Sequence, residues 1–196
     1  MKKVLFLVSH FCSGSDQLYR DLNEHICIQG FEDSKFNSYQ TMLDVFYLTQ
    51  NKHKLKNSAR VYMDHLLYNN QFSCSEAFKN CKFIFMIREP ESSIERMVAS
   101  GNFDKNYAIR YYTYRLRRIC EMAKKAKNYL FLTYSNFKSD KYQIEIKKFL
   151  GIKDRWQYKI NECDFKFKNI LTFNELNNLN ITYEKYLYFI NNLNTK

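Results

Sequence analysis

The sequence is poor in residues that interrupt regular structure, and it contains no long apolar run. Four glycines and one proline punctuate 196 residues, so each is expected to mark a turn or the end of an element. The first apolar run, Val4–Val8, is too short for the core of a secretory signal. No stretch approaches the roughly 20 apolar residues that a membrane-spanning helix needs. We therefore expect a soluble protein.

Closely spaced cysteine pairs are also absent. No C-x-x-C pair is found among the six cysteines, which are Cys12, Cys27, Cys74, Cys81, Cys120 and Cys163. This argues against a zinc site or a redox motif and predicts a reduced, cytoplasmic protein. Intrinsic disorder is excluded, because 45% of the residues are hydrophobic and 17% are aromatic. We expect residues 1–196 to form one α/β domain, with residues 153–196 as a C-terminal helical tail packed on it.

Acidic residues are scarce in the second half of the chain. The net charge is +11, and residues 101–196 carry 19 basic and 9 acidic side chains, against 12 and 11 in residues 1–100. Such an imbalance predicts an anionic partner, whether nucleic acid, a membrane surface or a small polyanion.

A basic stripe accounts for part of this excess. Arg110, Arg117 and Lys124 are spaced by seven on a predicted helix and share one face, and Arg118 and Lys125 lie beside them. The stripe has three interpretations: a solvated helix face, a platform for an anionic acceptor, or a surface for nucleic acid.

Apolar segments alternate with amphipathic ones along the chain. Strands are predicted at 4–8, 82–87 and 129–134, and helices from Gly14 onward, over 91–99, over 104–127, up to Leu150 and around 183–191. The segment 30–60 is predicted to be helix and loop, with a short apolar patch at 42–48. Continuous apolar strands between helices predict a three-layer α/β sandwich with a central parallel sheet. Ligands of such folds bind at the carboxyl ends of the strands.

The first and third predicted strands lead to polar segments that suit a nucleotide. Residues 9–17 form a turn around Gly14 that opens a helix, which would present N–H groups and a positive dipole end to a phosphate. This turn lacks the Walker A lysine, and an ordinary βα turn is the alternative. Tyr134 ends the third predicted strand, where it would stack on a base or close the core.

The second predicted strand leads to a pair of arginines. Arg88 ends this strand, and Ser92, Ser93 and Arg96 follow on the predicted helix. Two guanidinium groups with nearby hydroxyls suit a dianionic phosphate. The alternative is that the arginines form ion pairs with nearby glutamates, which are Glu89, Glu91 and Glu95.

Taken in order, these segments resemble the sulfotransferases that use 3′-phosphoadenosine 5′-phosphosulfate (PAPS). Residues 9–17 resemble their 5′-phosphosulfate loop, and residues 83–96 resemble their 3′-phosphate strand and helix. Residues 129–137, with 149–152, are similar to a third signature of the family. The resemblance covers residues 1–152 and implies a P-loop-like phosphosulfate-binding loop after the first strand. It also implies PAPS as the donor, PAP as the product and no metal.

The resemblance also implies individual roles. Arg88 and Arg96 would bind the 3′-phosphate, and Tyr134 would lie against the adenosine. The phosphosulfate would be held by the loop residues Cys12, Ser13, Gly14, Ser15, Asp16 and Gln17. The segment around His65 resembles the one that carries the family's catalytic histidine, and an imidazole suits that role because it titrates near neutrality. Asp64 is a competing base, and a hydrogen-bonded histidine on a helix is the alternative to both.

The loop departs from the family's usual pattern at three positions. Family members usually have Lys or Arg at the position of Cys12, a hydroxyl residue at that of Asp16 and an aromatic residue at that of Gln17. Arg96 stands where Ser is common. The missing cation would be replaced by a protonated His10 or by one of the basic residues Lys52, Lys54, Lys56 and Arg60. Tail residues Lys166 and Lys168 are further candidates to reach the 3′-phosphate.

The sequence thus predicts in-line transfer of a sulfuryl group from PAPS to a hydroxyl or amine, with His65 as general base. The acceptor would be a small molecule, a glycan or a peptide, and no specific nucleic acid is expected. The alternatives are a catalytically weak nucleotide-binding relative or a basic nucleic-acid-binding protein. A P-loop kinase is a more distant alternative, because the P-loop lysine is missing.

Overall fold

A computed structural model describes residues 3–30, 61–67, 81–137, 139–153 and 168–193. The strands are β1 (Lys3–Ser9), β2 (Ile28–Gly30), β3 (Val61–Leu66), β4 (Lys82–Ile87) and β5 (Asn128–Thr133). The helices are α1 (Ser15–Asn23), α2 (Pro90–Ala99), α3 (Lys105–Lys125), the single turn α4 (Tyr134–Phe137), α5 (Asp140–Leu150) and α6 (Phe173–Leu193).

The five strands form one sheet in the order β2-β3-β1-β4-β5. Every neighbouring pair is parallel, with Val8 of central strand β1 opposite Leu66 of β3 and Phe85 of β4. The carboxyl ends of β1, β3, β4 and β5 therefore meet at one edge, and the segments that follow them lie side by side.

Helices cover both faces of this sheet, as the apolar strands predict. One face packs against α2, α3 and α6, with the phenylalanines of β4 among the buried residues. The other packs against α1, α4 and α5, through residues such as Leu18 and Ile146. The predicted three-layer α/β sandwich with a parallel sheet is confirmed.

Most of the predicted elements lie within one or two residues of those observed, and three predictions need correction. Strand β5 ends at Thr133, so Tyr134 begins α4 instead of ending the strand. Helix α6 begins at Phe173, ten residues before the predicted start. Strands β2 and β3 were not predicted, because β2 has three residues and Asp64 and His65 interrupt the apolar pattern of β3. The apolar patch at 42–48 lies outside the described residues.

Candidate functional site

The turn between β1 and α1 contains two residues with left-handed backbone angles. Cys12 and Gly14 have positive φ angles of 60° and 90°. Gly14 caps α1, whose first N–H groups have no partners within the helix and form its positive end. A Cβ atom at Gly14 would lie 2.5 Å from Cδ2 of Tyr134. Only glycine therefore suits this position, in backbone angle and in space.

Three serine hydroxyls are gathered beneath this turn. Oγ of Ser15 lies 2.7 Å from Oγ of Ser9 and accepts a hydrogen bond of 2.9 Å from Oγ of Ser13. All three side chains are buried. The hydroxyl groups belong to the end of β1, the turn and the first residue of α1, so they link these three segments.

The sheet brings His65 into this hydroxyl cluster. Its Nε2 lies 2.8 Å from Oγ of Ser15 and 3.1 Å from Oγ of Ser9. Its Nδ1 lies 3.5 Å from Oδ1 of Asp16, and its ring stacks on Tyr19 with centroids 5.6 Å apart. His65 lies on strand β3, so the alternative of a hydrogen-bonded histidine on a helix is wrong about the helix, although the ring is hydrogen-bonded.

The other candidate base is placed differently. Asp64 precedes His65 on β3, and side chains alternate between the faces of a strand, so the Asp64 side chain points away from α1. It is buried, and its Oδ1 accepts a hydrogen bond of 2.8 Å from the backbone N–H of His65. In this position the carboxylate supports the backbone of β3, while the imidazole faces the loop.

A second part of the site joins β4 to β5. The guanidinium carbon of Arg88 lies 3.7 Å from the centroid of the Tyr134 ring, and the same ring contacts the loop at Gly14. Tyr134 is placed there by α4, whose first turn is capped where the backbone N–H of Asn136 donates to Oγ1 of Thr133. Arg88 is 7% exposed, and its Nε has no hydrogen-bond partner. Burial and, to a smaller extent, Arg96 lower the pKa of Arg88.

The first turns of α2 complete this part of the site. Ser92 is buried and its hydroxyl has no hydrogen-bond partner, whereas that of Ser93 donates to the backbone carbonyl of Glu89. Among the described residues, Arg88 forms no ion pair with a glutamate of this segment. The ion-pair alternative from the sequence is therefore not observed for Arg88.

Glu95 has a separate structural role. Its carboxylate accepts hydrogen bonds from the backbone N–H groups of Lys168 and Ile170, at 2.8 and 3.2 Å. These bonds hold the start of the segment before α6 against α2. Lys166 lies outside the described residues.

The three unusual loop residues differ in their surroundings. Burial, with a contribution from Asp16, raises the pKa of the Cys12 thiol to about 11, so this side chain is neutral at neutral pH. The Asp16 carboxylate is 61% exposed and faces His65. Gln17 turns along α1, where its amide donates to Oδ1 of Asp21 at 2.9 Å.

Sequence reasoning missed the residues that fix the loop and strand ends in place. Arg115 of α3 is buried, with Nε donating to the carbonyl of Ser9 at 2.9 Å and Nη2 to that of Leu66 at 2.6 Å. Burial lowers its pKa to about 10, so it remains protonated at neutral pH. Arg115 lies three residues after Tyr112, on the apolar face of the helix. A charged residue at this spacing was the one sequence feature that could have indicated a buried arginine.

Two tyrosines of α3 make further contacts of this kind. Oη of Tyr111 accepts from the backbone N–H of Phe11 and donates to the carbonyl of Leu67, both at 3.1 Å. Oη of Tyr112 donates to the carbonyl of Arg88 at 2.6 Å. The buried face of α3 thus contacts the ends of β1, β3 and β4.

His10 is a structural link and not the missing cation. Its Nε2 accepts a hydrogen bond of 2.9 Å from the backbone N–H of Arg88, so the ring proton is on Nδ1, which donates to the carbonyl of Phe11. Burial lowers the pKa of His10 to about 4. The ring is therefore neutral at neutral pH, and the expectation that its charge replaces the missing cation is wrong. The other candidates, Lys52, Lys54, Lys56 and Arg60, lie outside the described residues.

The basic stripe of α3 is partly engaged within the protein. Arg117 and Arg118 both bind Glu121, at 3.0 and 2.5 Å. Lys124 lies 4.5 Å from the ring centroid of Phe189 on α6. Only Arg110 among the three stripe residues is both exposed and without such a contact.

Other sequence predictions concern metals, membranes and disulfides. Over the described ranges, no group of three or more His, Cys, Asp or Glu side chains is arranged to hold a metal ion. No helix in those ranges combines the length and the apolar character that a bilayer crossing requires. Four cysteines are free thiols, namely Cys12, Cys27, Cys81 and Cys120. Cys74 and Cys163 lie outside the described residues.

Comparison with known proteins finds similarity in structure only. No protein-family model matches the sequence, and no curated protein sequence matches it. A sulfotransferase from Alicyclobacillus acidocaldarius superposes with a TM-score of 0.57 at 12% identity, covering 98% of this chain and 96% of the other. A mouse sulfotransferase complexed with PAP superposes with a TM-score of 0.56 at 20% identity, covering 83% of this chain. This chain spans 61% of the length of that mouse protein.

Proposed function

Because the chain has the fold of the sulfotransferases, we propose that it transfers a sulfuryl group from PAPS to a hydroxyl or amine acceptor and releases PAP. The observation that carries the proposal is the meeting of three groups at one edge of the sheet. These are the glycine turn with its serine hydroxyls, the imidazole of His65, and the Arg88–Tyr134 pair.

The residues present fit a nucleotide that carries a 3′-phosphate. Nε of Arg88 and the hydroxyl of Ser92 are buried and have no hydrogen-bond partner. Burying such polar groups costs folding free energy unless a ligand forms the missing hydrogen bonds. A dianionic phosphate would satisfy both, and Arg96 lies on the same helix face as Ser92. Lys168, whose backbone N–H binds Glu95 of this helix, is a further candidate to contact the phosphate.

The loop would hold the other end of the donor. The first N–H groups of α1 and the hydroxyls of Ser13 and Ser15 would bind the 5′-phosphosulfate oxygens. Tyr134 would lie along the adenosine, since its ring already lies between the loop and Arg88. PAPS supplies the sulfuryl group, and PAP leaves with the electron pair of the broken S–O bond.

His65 would accept the acceptor's proton at Nε2, beside the hydroxyl of Ser15. The acceptor oxygen or nitrogen forms its bond to sulfur as this proton is removed. Asp64 is the weaker candidate base, because its carboxylate is bound to the backbone of His65 and faces away from α1.

One observation favours the alternative that the chain binds the nucleotide but turns over slowly. Cys12 is neutral where a cation is usual, and His10 is neutral beside it. Losing one donor to the charge that develops in a transition state typically costs about 10²–10³ in rate. A PAP-binding protein with weak transferase activity would show this behaviour.

Calorimetric titration of the full chain with PAP in the presence of EDTA tests the proposal, with 5′-AMP as the control ligand. We expect micromolar affinity that requires the 3′-phosphate. Equal affinity for PAP and 5′-AMP, or no binding of either, would overturn the donor assignment. Salt-sensitive binding of generic DNA, unaffected by PAP, would instead favour a nucleic-acid-binding protein.

A PAPS-dependent assay with pooled phenols, alcohols, amines, glycans and tyrosine peptides tests the transfer itself. We expect sulfation of at least one class, with loss of the signal in Arg88→Ala. PAP binding without transfer to any class would support the weak-turnover alternative.

A further inference from the structure

Asp16 and His65 form a carboxylate–imidazole pair beside the loop. The pair joins α1 to β3, and its atoms Oδ1 and Nδ1 are 3.5 Å apart. On the opposite side of the ring, Nε2 faces the hydroxyls of Ser15 and Ser9. The imidazole thus has an acid on one nitrogen and the hydroxyl cluster on the other.

We infer that Asp16 positions His65 for catalysis by fixing its tautomer and stabilising its imidazolium form, an inference that rests on the proposed sulfuryl transfer. A carboxylate at Nδ1 favours a proton on that nitrogen and leaves the lone pair on Nε2, the nitrogen that faces the loop. Asp16 does not touch the transferred group, and it acts through His65.

The pair also explains why the acidic residue Asp16 stands in a loop that is proposed to bind an anion. A negative charge beside a phosphosulfate opposes binding, so Asp16 carries a cost unless it contributes to a later step. Once Nε2 has taken the acceptor's proton, the imidazolium carries a positive charge next to the hydroxyl of Ser15. That charge arises only as the reaction proceeds, so it stabilises the transition state more than the bound substrates. It thereby takes over part of the role of the cation that is usual at Cys12.

Neighbouring side chains support the same geometry. Tyr19 stacks on the imidazole and fixes the plane of the ring. Asp64, the other acid near the ring, binds the backbone N–H of His65 and not the imidazole. Partial burial raises the pKa of Asp16. Arg20, one turn along α1, offsets part of this increase.

The first test reads the imidazole directly and needs no activity. Full-length protein labelled with ¹⁵N-histidine gives long-range ¹⁵N–¹H spectra that identify the protonated ring nitrogen, and His65→Asn assigns the signal. We expect a proton on Nδ1 of His65 in the wild type. Asp16→Asn should weaken this preference and lower the pKa of His65, whereas Asp16→Glu should restore both. Glu24→Gln, which removes an exposed acid at the other end of α1, is the control.

The second test separates binding from turnover. Asp16→Asn should lower kcat about tenfold, a smaller loss than for a fully buried triad aspartate because Asp16 is partly exposed. The KM for PAPS should stay constant or fall, because a negative charge has left the loop. Asp16→Glu should recover most of the lost kcat.

The two tests distinguish failure of this inference from failure of the proposed function. An unchanged tautomer and pKa of His65 in Asp16→Asn would overturn the inference, even in a protein that binds PAP. An unchanged kcat would overturn it as well. If the wild type neither binds PAP nor transfers a sulfuryl group, the proposed function fails, and with it the catalytic role of Asp16. The spectra would then still decide whether the pair itself exists.

Discussion

Arg88 lies over the ring of Tyr134, with the guanidinium carbon 3.7 Å from the ring centroid. The two residues follow different strands, β4 and β5, and the same ring contacts the loop after β1 at Gly14. One aromatic side chain therefore connects the two regions proposed to bind the ends of the donor. An aromatic face favours a cation and leaves the edge of a guanidinium available for hydrogen bonds.

Arg88→Ala should abolish PAP binding, because the 3′-phosphate would lose its charged and bidentate partner. Arg88→Lys should recover only part of the affinity, since an ammonium neither stacks on Tyr134 nor binds in a bidentate manner. Calorimetry measures both, and Arg110→Ala, which removes an exposed charge from α3, is the control. Affinity for PAP within twofold of wild type in Arg88→Ala would contradict the assignment.

His65→Ala should leave PAP affinity unchanged and lower kcat by about 10²–10⁴, the usual contribution of a general base. Steady-state kinetics with the acceptor found by the screen, together with PAP calorimetry, separate the two effects. Asp64→Asn is the comparison for the competing base. Unchanged turnover in His65→Ala would exclude His65 as the base.

Gly14→Ala should destabilise the fold by about 1–3 kcal/mol, because a Cβ at φ 90° is strained and lies 2.5 Å from the Tyr134 ring. Gly101→Ala is a matched control, since Gly101 has φ 75° but nothing lies within 4 Å of its Cβ position. Urea denaturation measures both. Truncating Tyr134 to Ala should relieve the steric part of the loss at Gly14 but none of the loss at Gly101. Equal losses for the two glycine variants would contradict the close approach of Tyr134.

Arg115→Met should lower the free energy of unfolding by at least about 3 kcal/mol, because two buried carbonyls lose charge-assisted hydrogen bonds. Arg117→Met removes an arginine whose side chain is 68% exposed and should cost less than about 1 kcal/mol. Urea midpoints at constant m value give the comparison. If the two variants are equally stable, the anchoring role of Arg115 is wrong.

The stability of the protein should fall on acidification because of His10. Its pKa is about 4 in the folded state against 6.5 for a free imidazole, so the unfolded chain binds a proton that the folded chain excludes. This contribution is complete above pH 6.5, is lost as the pH falls toward 4, and changes no further below 4. It amounts to at most about 3 kcal/mol.

Urea denaturation across this pH range, compared with His10→Gln, isolates the contribution of His10. The amide oxygen of Gln can still accept from the N–H of Arg88 but does not titrate. We expect a shallower pH dependence in the variant. Parallel curves for the two proteins would show that His10 is not buried in its neutral form.

Local patterns predicted much of the fold and part of the site. The apolar run of β4 and the spacing in α3 each predicted an element to within two residues, because both bury a continuous apolar face. Gly14 predicted the turn through its backbone freedom. Strand β3 escaped prediction because Asp64 and His65 interrupt its apolar pattern. His65 contacts the loop, 50 residues away along the chain, and Asp64 binds the backbone N–H of His65.

The contacts between distant segments could not be predicted from the chain. Arg115 is separated by 106 residues from Ser9, whose carbonyl it binds. No local spacing indicates that partner. The neutral state of His10 likewise follows from burial between α3 and the end of β4, which only the assembled sheet produces.

The anchoring of the site by α3 has a consequence for divergence of the sequence. Tyr111, Tyr112 and Arg115 all bind main-chain atoms of the strand ends. A main-chain atom is present whatever residue occupies the position, so substitutions at the strand ends and in the loop leave these bonds in place. A scaffold held in this way can keep the course of its backbone while the side chains at the strand ends change.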